Sequence, residues 1–215
     1  MLHHRSGLPL FCAAVFAALA LSATGCIFSP EDDDDDPDPT PPITISRSRP
    51  DSLLIGLQRI YNDKEHSAIE RVNAYDSLFL KPDPNADPPR TGFLFNFQPA
   101  DQQQGLPANW GLDAELEAHR GLFTAQENGE IYLLELRITY GATEPIDNDP
   151  EKVDWQQIFA SNVYLRLMFN PNDGLEVNGG QADFEFAPEL SKPPAQPGGL
   201  YGGYWIGEWT DLPRP

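Results

Sequence analysis

Cysteine is nearly missing from this 215-residue chain: it has two, Cys12 and Cys26. That excludes a disulfide framework and a thiolate-rich metal site. Basic residues are scarce as well, 14 against 33 acidic ones, for a net charge of −19. Binding to nucleic acid rests on neutralising phosphates, so a chain this acidic is read as having no nucleic-acid partner. Of four histidines, two (His3 and His4) precede Cys12, leaving His66 and His119 for any chemistry further on. The longest apolar run, Leu8 to Leu21, is fourteen residues broken by Pro9; a membrane-spanning helix needs about 20. The sequence has no internal repeat, no glycine loop of the phosphate-cradling kind and no serine in a nucleophile elbow. No cofactor is expected.

What is present starts with that short apolar run. Arg5 precedes it, and the small residues Ala23, Thr24 and Gly25 follow, directly before Cys26. The pattern fits a secretory signal over residues 1–25. The stretch Ala23-Thr24-Gly25-Cys26 resembles a bacterial lipobox, although Leu or Val and then Ala or Ser are commoner at its first two positions. The resemblance implies that the Cys26 thiol carries a lipid and that the chain is anchored to a membrane through it. The alternative is an ordinary cleaved signal that leaves Cys26 as a free thiol, but a lone exported cysteine lacks an intramolecular disulfide partner. Ile27, rather than Asp, follows the cysteine, and the resemblance then implies an outer-membrane lipoprotein of the cell envelope.

Residues 26–49 read as a disordered acidic, Pro-rich linker. Glu31 to Asp38 holds seven acids, five of them consecutive aspartates (Asp32 to Asp36). Like charges and prolines extend such a segment, and 23 residues reach at most about 75 Å. The aspartates lack the glycine turn and bidentate glutamate of a calcium loop. Acidic stretches after a lipid cysteine also resemble surface-export signals, though this one starts five residues later.

Residues 50–215 read as one domain, with 11 basic against 26 acidic residues. Asp51 and Ser52 can cap a first helix with Leu54, Leu57, Ile60 and Tyr61 on one face, and a second helix is expected from about Lys64 to Leu78 with a stripe of Ile69, Val72 and Tyr75. Phe93, Phe95 and Phe97 alternate as a short strand. Lys81–Arg90 and Asp101–Asn109 read as loops, and Asp113 starts a third helix with Leu116 and Phe123 inward. From Ile131 the period becomes two. Tyr132, Leu134, Leu136, Ile138 and Tyr140 share one face, and Val163, Leu165, Leu167 and Phe169 share another. Asn170 to Gly174 is a hairpin turn. Leu175 and Val177 are apolar at odd positions, whereas Ala182, Phe184 and Phe186 are apolar at even ones; one extra residue at Gly179-Gly180 reconciles them as a β-bulge. A Pro- and Gly-rich loop over 188–199 leads to a last strand, Tyr204 to Asp211.

The expected fold class is therefore α+β: three N-terminal helices packed on a curved antiparallel sheet of four to five strands. This order of elements resembles the nuclear transport factor 2-like superfamily, with echoes at Trp110, Leu122-Phe123, Glu176-Val-Asn-Gly-Gly180 and Trp205-Ile-Gly-Glu-Trp209. The resemblance implies a cone whose pocket would be lined by Trp110, Phe123, Leu134, Leu165, Phe184 and Trp205. It also implies two functional classes. One is a ligand- or partner-binding domain. The other is an isomerase, dehydratase or cyclase with a base and a proton donor in an apolar wall.

The residues favour the first class. His66 and His119 both have charged neighbours and read as helix-edge histidines. His119, three residues from Leu116 and four from Phe123, is the one candidate base facing a pocket, and Glu208 between two tryptophans is a weaker candidate acid. Glu135, Arg137 and Arg166 fall opposite the apolar faces, as cross-strand ion pairs on an outer sheet face. The carboxylates of 147–154 lack ligand spacing for a metal. The expected partners are a membrane, through the lipid on Cys26, and an unnamed ligand or envelope protein.

Overall fold

Residues 40–85, 89–189 and 202–213 are described in the computed structural model of the chain. Helix α1 (Pro50–Asn62) begins with Pro50 at its first position, its N-cap Arg49 makes no side-chain capping bond, and Arg49 instead forks onto Asp51. Packing fixes this helix in place of a cap. Leu53, Leu54, Leu57 and Ile60 are completely buried, each contributing about 1.5–3 kcal/mol where a cap contributes about 1. Helix α2 (Ala68–Asp76) is shorter than its apolar spacing suggests. It starts at a capping box in which Ser67 and Glu70 satisfy each other's backbone. Its buried face is also rotated from the expected stripe, because Ile69 is 59 % exposed and Arg71 is buried beside Val72 and Tyr75.

The chain then forms strand β1 (Leu94–Asn96), the one-turn helix α3 (Pro99–Gln102), strand β2 (Asn109–Gly111) and helix α4 (Leu112–Glu127). Four long strands follow: β3 (Leu133–Pro145), β4 (Gln156–Asn170), β5 (Asp173–Pro188) and β6 (Tyr204–Leu212). The sheet has six strands in the order β2-β1-β6-β5-β4-β3, and it is mixed, because β1 lies parallel to β6 while every other neighbouring pair is antiparallel.

This overturns the expected fold class. The described residues hold four helices, with α3 and α4 in mid-chain between and after short strands, and the sheet is neither purely antiparallel nor limited to four or five strands. The physical reason lies in short segments. Phe93–Phe97 joins the sheet beside β6, a partner more than 100 residues away. Asn109-Trp110-Gly111 is too short to show alternation, and it is ordered by pairing Trp110 with Phe95.

The bulge at the β4–β5 pair is present. Leu165 faces Val177 and Val163 faces Gly180, so Asn178 and Gly179 oppose Tyr164 alone. Gly179 takes φ +78, and its N–H is bonded by the Asn162 side chain at 2.8 Å. Val177, opposite core-packed Leu165, shares the inner face with Ala182. Another bulge, invisible in the pattern, sits at Gly207, between the pairs Glu185–Glu208 and Phe186–Ile206. The Trp155 ring occupies the space a Cβ at Gly207 would need. The extra residue lets both Ile206 and Trp209 pack toward the core. Tyr132, expected inside, is 62 % exposed, and Ile131 is buried in its place.

Residues 40–49 run along the domain as a strap. Ile43 and Ile45 pack on the core, and an Ile45 methyl stands 2.7 Å from where a Cβ of Gly56 would lie. Arg47 O accepts the Tyr204 N–H at 2.9 Å, and the Arg47 guanidinium lies 5.2 Å from the Trp205 ring centre. Residues 1–39, with the expected signal and Cys26, and residues 190–201, most of the expected Pro/Gly loop, lie outside the described residues. Among the described residues no helix is long and apolar enough to cross a membrane.

Candidate functional site

Helix α4 brings Glu115, His119 and Phe123 onto one face by their spacing of four. That face meets Tyr61 at the end of α1 and Tyr75 on α2. The His119 ring stacks on Tyr75 at 4.1 Å and meets Tyr61 and Phe123 edge-on. The His119 side chain is 11 % exposed and that of Glu115 2 %.

The hydrogen bonds of this cluster form a closed set. His119 Nδ1 lies 2.8 Å from the backbone carbonyl of Glu115. A carbonyl only accepts, so Nδ1 carries the proton. In the neutral ring Nε2 is then an acceptor, and the Tyr61 hydroxyl donates to it. The Glu115 carboxylate accepts the Tyr75 hydroxyl on Oε1 at 2.5 Å and the Trp110 indole N–H on Oε2 at 2.8 Å. Burial, reinforced by the Glu115 charge, holds both phenols far above the ordinary tyrosine range, so both stay protonated.

Arg71 completes the brace from below. It donates to the carbonyls of Ile60 and Tyr61 at 3.0 and 3.2 Å and to Gln126 at 2.7 Å, with its guanidinium 4.1 Å from the Phe123 ring centre. Its desolvation lowers its basicity without removing its charge.

A general base needs a free lone pair within reach of a substrate proton. The one on His119 is occupied by Tyr61. The residues expected to line a pocket are placed differently from one another. Phe123, Leu134 and Phe184 are core residues, and Leu165 packs on the core. Trp110 and Trp209 are half-buried and form a rim with Phe95 and Phe97, at ring separations of 4.8–5.9 Å. Trp205 lies under Arg47 and apart from this rim. A groove of about 660 Å³ opens elsewhere, between the start of α2 and the α4–β3 turn, lined by Lys64, His66, Glu70, Gln126 and Tyr132 among others. None of the expected pocket residues borders it.

Glu208 is engaged as well. Lys152 Nζ lies 2.8 Å from Glu208 and also bonds Glu185, its cross-strand neighbour. Burial raises the Glu185 carboxyl against the pull of Lys152. For Lys152, burial acts downward, and the two carboxylates outweigh it. This trio ties the turn before Trp155 to the sheet. Glu135 bonds Arg137 on its own strand rather than across strands, and Arg166, opposite Glu135 in register, has Glu176 as its ion-pair partner at 4.0 Å. Among the described residues, no three His, Cys, Asp or Glu side chains converge as a metal site.

Sequence reasoning singled out His119 but missed Tyr61, Tyr75 and Glu115 as its partners. The Glu115–His119 spacing was visible, whereas the tyrosines read as core stripes. Compared with known protein families, curated proteins and solved structures, the chain matches none.

Proposed function

We propose that this chain is a lipid-anchored protein of the bacterial envelope whose folded domain binds a ligand or partner and does not catalyse. The observation that carries the non-catalytic half is the engagement of its candidate groups. His119 is saturated by Tyr61 and Glu115, and Glu208 is paired with Lys152. Removing the Tyr61 bond to free a base would break a brace joining all three long helices. The half-buried aromatic rim of Phe95, Trp110 and Trp209 supplies apolar surface for contact. The anchoring half rests on Ala23-Thr24-Gly25-Cys26 and on the acidic stretch after it. With the strap on the domain, the spacer from Cys26 to Thr40 is fourteen residues, a reach of about 46 Å.

One experiment addresses both halves. Wild-type and Cys26→Ser protein are fractionated with membranes and assayed on ketosteroid, polyketide-like and hydroxylated aromatic substrates. Wild type should sediment with the outer membrane and Cys26→Ser should not, and neither should turn any substrate over. An unmodified Cys26 thiol in mature wild-type protein, seen by mass spectrometry, rejects the anchor. Turnover lost in His119→Ala with the fold intact by circular dichroism rejects the non-catalytic reading.

A further inference from the structure

Among the described residues, His66 is the one histidine whose two ring nitrogens both face acceptors at 2.8 Å. Nδ1 lies against Asp63 Oδ2, and Nε2 against the carbonyl oxygen of Pro41 in the strap. A neutral imidazole has a single N–H and would turn a lone pair toward one of these oxygens. Only the imidazolium donates to both. The side chain is 4 % exposed. From the strap, the Pro41 carbonyl favours the charged ring most; desolvation opposes it, and Asp63 in the α1–α2 turn and then Glu70 on α2 outweigh that opposition together with Pro41. Both acids are held ionised. Asp63 accepts the N–H groups of Glu65 and His66 at 2.8 and 2.9 Å, and Glu70 accepts from Ser67. Of the cations beside the adjoining groove, the Arg71 guanidinium is committed to Ile60, Tyr61 and Gln126, while Lys64 is exposed.

We propose that His66 is a pH-sensitive latch that holds the strap, residues 40–49, onto the domain through the Pro41 carbonyl. The inference goes beyond the binding reading and does not depend on lipidation. Its sign follows from which state binds the proton more tightly. The docked strap supplies an extra acceptor, so the docked state has the higher His66 pKa. Docking is therefore tightest in mild acid and weakens as pH rises through the docked-state value. Ile43, Ile45 and Arg47 hold the strap as well, so loss of the Pro41 bond loosens docking without abolishing it. The strap is thus held more tightly in mild acid than in mild alkali.

The Tyr204 amide reports the strap directly, because it donates to Arg47 O at 2.9 Å. Amide-exchange protection of Tyr204 and the ring titration of His66 are measured by NMR on the full chain from about pH 5.5 to 8.5, a window spanning the ordinary histidine range. In wild type, Tyr204 protection should fall by roughly threefold or more across the window, with its midpoint at that of the His66 ring. In His66→Gln, which keeps one neutral donor, protection should be flat. A flat wild-type profile, or an unchanged profile in His66→Gln, overturns the latch. Should His66→Gln fail to fold, wild type decides alone: midpoints for Tyr204 and the His66 ring that do not coincide also overturn it.

Discussion

Glu115 shows how one buried carboxylate can be structural. Both of its oxygens are used, one by the Tyr75 hydroxyl and one by the Trp110 indole, and both donors are neutral. Glu115→Gln keeps size and shape but replaces one acceptor with an N–H that must point at a donor. The expected cost is about 1–3 kcal/mol, that of leaving a buried donor unsatisfied, read as a lower urea midpoint at unchanged slope. Trp110 fluorescence should shift with it, since its indole loses its partner. A surface carboxylate such as Glu117, which pairs only with exposed Arg120, should change stability by less than about 0.5 kcal/mol under the same substitution.

At the scale of elements, the exposed edge of β3 is a hazard that α1 manages. Asn62 donates to and accepts from the backbone of Leu136, at 3.0 and 2.9 Å, and Gln58 accepts the Ile138 N–H at 2.8 Å. Two helical side chains four residues apart thus mimic a neighbouring strand along the inner half of that edge. Removing both, in Gln58→Ala/Asn62→Ala, should cost about 1–2 kcal/mol by denaturant unfolding. The double variant should also associate at high concentration in light scattering, where wild type stays monodisperse. The strands themselves explain why the bulges matter. Without the extra residue at Gly207, Glu208 would follow Ile206 toward the core; with it, Glu208 meets Lys152 and Trp209 meets Phe184.

For the whole molecule, charge is the dominant global quantity. Acidic groups outnumber basic ones by 19, so self-repulsion opposes the compact state and salt should relieve it. Asp183 opposes the compact state for a different, local reason. It lies on β5 opposite Phe159 and Thr210, and burial raises its carboxyl above the ordinary value. A raised carboxyl favours folding while protonated, and that contribution is lost as pH rises through the folded-state value. Asp183→Asn should therefore melt higher than wild type at neutral pH, with the difference vanishing near pH 3.5, about where the unfolded carboxyl protonates. Thermal melts of the two proteins at several pH values check this; an equal difference at all pH values contradicts the assignment to Asp183 ionisation.

Local physics was readable from the sequence. The apolar period of α1, the alternation of β3 to β5 and the parity switch at Gly179 depend on neighbours within a few residues, and the sequence carries those neighbours in order. The stripe of α2 was misread because propensity does not distinguish an apolar residue from an arginine whose charge is met by three distant acceptors. The six-stranded mixed sheet, the parallel β1–β6 pair and the three-residue β2 rest on partners about 15 to more than 100 residues away, and short segments carry no period to announce them. The same holds for the site. His119 was visible as a titratable residue on a helix face, but whether its lone pair is free was decided by Tyr61, 58 residues earlier, and His66 gained its second acceptor from a strap whose composition reads as spacer. Sequence fixes the donors and acceptors each residue brings, and only the packed chain decides which of them are already taken.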